Sequence, residues 1–151
     1  MSQPINCLWG LLCSLSSIDQ EKNNISLFNI IDEINLPEDF FSVQTLKPIP
    51  LQHEIVMLWR RALSTTIDDR AIQVEVKIAL LDPSGTELSQ LIYPLSLPGD
   101  RRRVRTKFRV DGLPLTTPGD YVYRILLKNI ENADFEEVFK IPFEVKVKGR
   151  L

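Results

Sequence analysis

A short segment near the end of the chain constrains the fold more than any other. Pro118 and Gly119 form a turn signal, and Tyr121 begins a strand-like run that continues to Lys128. Proline followed by glycine favours a tight turn, because proline presets its φ angle and glycine tolerates positive φ. A tyrosine at the start of the next strand is typical of a β-sandwich corner, where the ring caps the core and the phenol hydrogen-bonds back to a loop. We therefore predict a sandwich with Tyr121 at such a corner.

The composition bounds the size of the domain and the kind of partner. With 151 residues and 44% hydrophobic content, the chain is expected to form one domain over residues 1–151 with its own core. Its net charge of -2 gives no overall attraction to nucleic acid or to an anionic membrane. An electrostatic partner would therefore have to bind a local patch.

Alternation of apolar and polar residues predicts the strands. In residues 72–80 the large apolar side chains share one face of a strand, and Gln73, Glu75 and Lys77 point the other way. The apolar residues are Ile72, Val74, Val76, Ile78 and Leu80. Pro142 lies on the outward face of the last run, and we expect an edge or a bulge there because proline cannot donate to a ladder. A short helix is weakly indicated within residues 64–69. Residues 36–50 are expected to form a crossover with little regular structure. The predicted strands, about eight in an antiparallel two-layer sandwich, are residues 5–15, 25–31, 53–61, 72–80, 87–95, 104–110, 121–127 and 139–147.

Two motifs at opposite ends of the chain carry a family resemblance. Residues 24–34 read Asn-Ile-Ser-Leu-Phe-Asn-Ile-Ile-Asp-Glu-Ile, Pro37 and Phe40 follow, and Pro118-Gly119-Asp120-Tyr121 comes much later. In this combination the chain resembles a family of small bacterial β-sandwich domains of unknown function. That family has a Ser-Leu-x-Asn-Ile second strand and a Pro-Gly-x-Tyr corner. The resemblance covers most of the chain, implies an immunoglobulin-like or C2-like sandwich, and supplies no catalytic residues.

The two cysteines and the N-terminus predict the compartment. On one extended strand Cys7 and Cys13 would be roughly 20 Å apart, whereas a disulfide needs Cα atoms within about 7 Å. Unpaired thiols indicate a reducing compartment. No basic residue precedes Lys22, and the first apolar run is too short for a membrane span. We therefore expect a cytoplasmic protein without a membrane segment.

No set of residues predicts catalysis or metal binding. A zinc site needs closely spaced ligands, but the chain offers only Cys7, Cys13 and His53, with no Cys-x-x-Cys spacing. His53 opens an apolar strand and is expected at the surface at the strand end, and no glycine-flanked serine or cysteine supplies a nucleophile elbow. We predict no enzyme activity, no catalytic residues, no metal site and no cofactor.

One charged segment is a candidate binding site. Arg101, Arg103, Arg105, Lys107 and Arg109 fall on one face of a strand, a stripe roughly 26 Å long. Guanidinium groups bind phosphate or carboxylate oxygens, so an anionic partner is one interpretation. The other is a solvated face paired with Glu75, Glu144 and the acidic residues of 131–137. No aromatic residues interleave on that face, so nucleic acid is a weaker candidate. Neighbouring strands are expected to extend the stripe with Arg124, Lys128, Lys140, Lys146 and Lys148.

Two early strands are apolar on both faces. Leu8, Leu12, Val56 and Leu58 alternate with Trp9, Leu11, Met57 and Trp59, so one of these sets must be covered by the crossover or by another subunit. The chain is therefore predicted to be a non-catalytic interaction module that binds a protein partner or self-associates. The alternatives are a structural subunit of a larger phage-like or defence assembly, or an anion-binding domain using the 101–109 stripe.

Overall fold

The computed structural model of the chain describes residues 3–42, 48–62, 70–129, 131 and 134–148. Within them the strands are β1 (Ile5–Asp19), β2 (Asn24–Ile30), β3 (Glu33–Leu36), β4 (His53–Arg61), β5 (Ile72–Leu81), β6 (Glu87–Leu97), β7 (Arg103–Val110), β8 (Gly119–Asn129) and β9 (Glu136–Val147). A 3-10 turn covers Phe40–Ser42. The predicted all-β sandwich is confirmed. The additional strand is β3, whose four residues are too few to show an alternating pattern. The helix predicted within residues 64–69 lies outside the described residues.

The strands form two sheets. One has the order β2-β1-β4-β7 and the other β3-β9-β8-β5-β6. All named pairs are antiparallel except β3 with β9, which is parallel. The Glu144 amide donates to the Asp32 carbonyl just before β3 begins. The nitrogen of Pro142, two residues earlier, therefore points to the same side of β9, beyond the end of β3. The proline thus lies at a local edge, as predicted.

The core lies between the two sheets and is built by the predicted inward positions. Ile125 and Phe143 are 0% and 3% exposed, and Phe108 packs against the same cluster from the edge strand β7. Trp59 is fully buried, and its indole N–H donates to the Thr106 hydroxyl over 3.0 Å. A buried indole needs such a partner, because an unpaired N–H would lose its hydrogen bond to water.

The tyrosine corner is also confirmed. The ring of Tyr121 is 1% exposed and stacks against Phe143 with ring centroids 5.5 Å apart. Its phenol hydrogen-bonds to the backbone of Thr116 and Thr117, in the loop before β8. The Thr116 hydroxyl in turn donates to a carboxylate oxygen of Asp82, in the turn between β5 and β6. The corner therefore ties this loop both to the core and to the neighbouring turn.

Candidate binding surface on the four-stranded sheet

The basic residues of the 101–109 segment lie on the outer face of the four-stranded sheet. β7 is an edge strand of this sheet, and β4 is its only neighbour among the described strands. Its even-numbered residues face the core, so Arg103, Arg105, Lys107 and Arg109 project outward from the odd-numbered positions. Arg101 precedes the strand and is exposed.

A fifth cation joins them from β4. Arg60 pairs in register with Arg103, so the two side chains lie on the same outer face of neighbouring strands. Sequence reasoning missed Arg60, although its position in the alternation of β4 was a usable signal once β4 and β7 were known to be neighbours. We call Arg60, Arg103, Arg105, Lys107 and Arg109 the basic surface.

The hairpin formed by β1 and β2 folds back over this face. The Nη2 group of Arg105 donates to the carbonyl of Asn23, at the hairpin tip, over 3.1 Å. Arg105 lies level with Trp9 across β4. In a flat sheet the end of β1 at Asp19 would lie ten residue steps, or roughly 33 Å, from Trp9 and so from Arg105. The contact therefore requires β1 to bend and return the hairpin across the sheet.

The folded hairpin explains the burial of residues outside the core between the sheets. Cys13 and Val56 are both 0% exposed, yet neither belongs to that core. Next to them, the Ser16 hydroxyl donates to the carboxylate of Glu54, which is 2% exposed, over 2.5 Å. The hairpin thus supplies a cover on this side of β4.

The described part of the crossover does not cover the outer face of β1 and β4, and the predicted grouping of the β1 side chains is wrong. The described part of the 36–50 crossover packs into the core between the sheets through Leu36, Phe40, Phe41 and Ile49, not onto the outer face. A β-bulge between Cys7 and Trp9 shifts the alternation of β1. Leu12 therefore faces the core, whereas Trp9 and Leu11 pair with Leu58 and Val56 on the outer side.

The basic surface has no ion pair with any described residue. Glu54 is the carboxylate opposite Arg109 in register, but it is buried against Ser16. The guanidinium of Arg105 bonds only a neutral carbonyl, and the Nε groups of Arg60 and Arg105 are enclosed without an acceptor in the described part of the chain. Within the described ranges, no carboxylate therefore forms an ion pair with the cations of this face.

The other sheet shows the opposite arrangement. Four of its basic residues, Arg124, Lys128, Lys140 and Lys146, are paired with carboxylates, and three of these carboxylates (Glu75, Glu137 and Glu144) are partners proposed for the stripe. The predicted extension of the stripe across neighbouring strands is therefore wrong. Arg124, Lys128, Lys140 and Lys146 lie on β8 and β9, and Lys148 follows β9, all in the five-stranded sheet. The ion pairs are Arg124–Glu137 (2.6 Å), Lys140–Glu137 (3.6 Å), Lys128–Glu75 (3.4 Å), Lys146–Glu33 (3.4 Å) and Lys146–Glu144 (3.9 Å).

His53 is not at the surface, so that prediction is wrong. It is 2% exposed, with Nδ1 3.0 Å from the Leu51 carbonyl and Nε2 2.9 Å from the Tyr123 hydroxyl. A carbonyl can only accept, so Nδ1 carries the proton and Nε2 of the neutral ring accepts from the phenol. Burial lowers the pKa of His53 below its ordinary value and keeps the ring neutral.

Both cysteines are free, as predicted. Burial raises the pKa of the Cys7 thiol to about 12, and burial together with the nearby Glu54 raises the pKa of the Cys13 thiol. Among the described residues, no group of three or more His, Cys, Asp or Glu side chains could hold a metal ion. In the described part of the chain, no helix is long and apolar enough to cross a membrane.

An exposed apolar patch lies on the hairpin. Leu15, Phe28 and Ile30 are 48%, 50% and 54% exposed. Leu15 and Phe28 are directly opposite each other on β1 and β2, and β2 is the edge strand at the other side of the sheet from β7. The four-stranded sheet therefore carries two distinct surfaces, one basic on β7 and one apolar on the hairpin.

Two packed sheets and an unpaired basic face define the chain as an all-β sandwich with a candidate binding surface. No protein-family model and no curated protein sequence matches it, so its resemblance to small bacterial domains stays a prediction.

Solved structures share the fold. One is the alkylpurine DNA glycosylase AlkC of Pseudomonas fluorescens bound to DNA containing an abasic site analogue, with a TM-score of 0.52 and 10% identity over 95% of this chain. The chain spans 30% of the length of AlkC. Another is the C-terminal domain of Wzt, with a TM-score of 0.51 and 11% identity over 99% of this chain and 77% of that one. At such identities the likeness shows the fold alone.

Proposed function

We propose that the chain is a non-catalytic binding module that recruits an acidic protein partner through the basic surface. The observation that carries the proposal is the contrast between the two outer faces. Basic residues of β8 and β9 are paired with carboxylates, whereas those of the basic surface face no ion-pair partner among the described residues. The whole chain has a net charge of -2, so this positive face is a local feature and not a consequence of overall charge.

A bound carboxylate would relieve an unfavourable arrangement. Arg60 and Arg103 are directly opposite each other, and like charges in that position destabilise a sheet. An acidic group lying between them would form charge-assisted hydrogen bonds with both guanidinium groups. Binding would therefore be favoured by the geometry of the unbound protein.

The reactive side chains favour binding over catalysis. Both ring nitrogens of His53, the sole histidine, are engaged within the protein. The raised pKa of each cysteine keeps it a thiol, which is the weaker nucleophile. Free Cys7 and Cys13 also support placing the module in the cytoplasm.

The test uses a labelled poly-glutamate peptide and two variants that remove the same charge. Arg103→Gln/Arg105→Gln/Arg109→Gln removes cations from the basic surface, whereas Lys128→Gln/Lys140→Gln/Lys146→Gln removes paired cations from the other sheet. We expect the first triple variant to weaken binding at least about tenfold in fluorescence anisotropy, because each lost pair is charge-assisted, and the second to bind like the unmodified protein.

Two results would overturn the proposal. Equal loss in both triple variants would mean that only net charge matters. Tighter binding of a single-stranded oligonucleotide of the same charge would mean that the surface recognises nucleic acid and not an acidic protein. Both probes are measured over a salt series, because ion-pair binding weakens as salt screens the charges.

The apolar patch favours a second candidate function, self-association as a structural subunit. Leu15, Phe28 and Ile30 lie beside the β2 edge, so two copies could join their β2 strands and cover these side chains together. Light scattering should then show a dimer or larger species that Phe28→Ser converts to a monomer. A concentration-independent monomer would refute this candidate and leave the basic-surface proposal untouched.

A further inference from the structure

We propose that the partner binds as an added β-strand along the free edge of β7, with acidic residues at every second position. This inference rests on the proposed function and deepens it by naming the shape and sequence pattern of the partner. Strand addition to an exposed edge obtains affinity from main-chain hydrogen bonds and specificity from alternate side chains.

The backbone of β7 is arranged for such an addition. The Arg61 amide donates to the Arg102 carbonyl, which fixes the register of hydrogen bonding between β4 and β7. In an antiparallel pair, successive residues direct their N–H and C=O groups to opposite sides of the strand. The even-numbered residues of β7 therefore bond to β4, and Arg103, Arg105, Lys107 and Arg109 direct their backbone groups toward the free edge.

The same residues carry the positive side chains. In a hydrogen-bonded antiparallel pair the two side chains are directly opposite each other on one face. A residue that bonds to the backbone of Arg105 would thus place its own side chain beside the Arg105 guanidinium. Residues two apart on β7 are about 6.7 Å apart, as in any extended partner strand. Carboxylates at alternate positions would therefore match the basic surface one to one.

The remaining positions of the partner are expected to be apolar. Phe108 points inward from β7 and packs against Tyr93 of β6, with ring centroids 4.0 Å apart. These rings close the sandwich directly beneath the free edge. Intervening side chains of an added strand would project toward them, away from the cations, and would be stabilised by burial. The predicted partner segment alternates acidic and apolar residues.

The backbone of β7 is not blocked along its free edge. It contains no proline and no acidic residue, so each odd-numbered position keeps its donor and its positive side chain. One edge strand of the other sheet, β6, contains Pro94, which cannot donate to a ladder. The lysine and arginine residues of β7 oppose pairing with a second copy of the same strand, and favour a strand of opposite charge.

The test compares three seven-residue peptides by NMR titration of the isotope-labelled protein. The first has the sequence Glu-Val-Glu-Thr-Glu-Val-Glu. The second has the same composition with the four glutamates in one block, and the third is the alternating peptide with N-methylated glutamates. We expect the alternating peptide to bind at least about tenfold more tightly than the other two. It should also shift the amides of Arg103, Arg105, Lys107 and Arg109 more than those of their even-numbered neighbours.

A second comparison removes the edge donor from the protein. Lys107→Pro and Lys107→Gln both remove one charge, but only proline removes the N–H that faces the free edge. The proline variant should bind the alternating peptide several-fold more weakly than the glutamine variant, with thermal unfolding as the check on folding. If the proline variant does not fold, the N-methylated peptide provides the same test of backbone bonding.

The outcomes separate this inference from the function on which it rests. Equal binding of the alternating, block and N-methylated peptides would refute strand addition and leave recruitment of acidic partners intact. Failure of all three peptides and of poly-glutamate to bind would refute both. Tighter binding of the alternating peptide, lost on N-methylation, would support both.

Discussion

The phenol of Tyr121 donates a hydrogen bond of 2.6 Å to the backbone carbonyl of Thr117, four residues earlier in the chain. The same oxygen accepts from the backbone amides of Thr116 and Thr117, at 2.9 and 3.2 Å. One side chain thus satisfies three backbone groups of a loop that has no regular structure. The phenol of Tyr121 therefore holds the loop in place, and removing its hydroxyl should lower the free energy of unfolding.

Tyr121→Phe should lower the free energy of unfolding by about 1–3 kcal/mol, because the ring stays buried while backbone groups lose their partner. Chemical denaturation in urea measures this loss. Thr117→Ala is the matched control, since it leaves the accepting carbonyl in place, and it should change stability by no more than about 0.5 kcal/mol. An equal effect of both variants would contradict the role assigned to the phenol.

Stability should fall as the pH drops below about 6.5 because of His53. Burial lowers its pKa in the folded state from the ordinary value of 6.5, so the unfolded chain binds a proton first as the pH falls. Stability decreases wherever the unfolded state binds more protons, from about pH 6.5 down to the folded pKa. The unfolding free energy of the protein and of His53→Gln should be compared between pH 8 and pH 5. The variant should lack this part of the loss, and parallel pH profiles would exclude the assignment.

Gly119→Ala should be destabilising by about 1–3 kcal/mol from backbone strain, with a steric contact in addition. Gly119 has a φ of 136°, and a Cβ atom there would lie 2.9 Å from Cγ of Pro83. Gly85 is the control, because its φ is 86° but a Cβ atom would meet nothing within 4 Å. Thermal unfolding of both alanine variants separates steric contact from backbone strain. If the two variants lose the same stability, the contact with Pro83 does not contribute to the destabilisation.

Arg103→Gln should stabilise the unbound protein by about 0.2–1 kcal/mol, because it removes a like charge directly opposite Arg60. The gain should shrink in high salt, where the repulsion is screened. Lys128→Gln is the control of equal charge change, and it should give no gain because Lys128 lies 3.4 Å from Glu75. The measurement is chemical denaturation at low salt and at about 0.5 M salt, where the Debye length is roughly 4 Å. A loss of stability in Arg103→Gln would show that the guanidinium is already neutralised.

The candidate surface was predictable only in part. The alternation of Arg103, Arg105 and Lys107 with apolar neighbours is local, so their shared face follows from the sequence. Arg60 is far away in the chain and joins them only because β4 and β7 are neighbours. The same holds for Glu75, which is opposite Lys128 and not near the basic surface. No single-strand pattern contains such pairings.

His53 shows why the local pattern can mislead. As a polar residue opening a strand it has the character of a surface residue, but Tyr123 supplies its partner from a strand 70 positions later. A buried polar group is stable once it is hydrogen-bonded, and that partner depends on how the sheets pack. The bulge of β1 between Cys7 and Trp9 is similar, because it is a shift in the register of β1 against β4, a strand far away in the chain.

The amino-acid sequence by itself determined eight of the nine described strands, the inward faces of most of them and the Tyr121 corner, because period-two alternation and turn chemistry act within a few residues. Tertiary structure alone decided which strands are neighbours, that the β1–β2 hairpin returns across the sheet to meet Arg105, and which cations are paired. The reason is the range of the forces: pleating and turns are set by adjacent residues, whereas packing and ion pairing join side chains that only folding brings together.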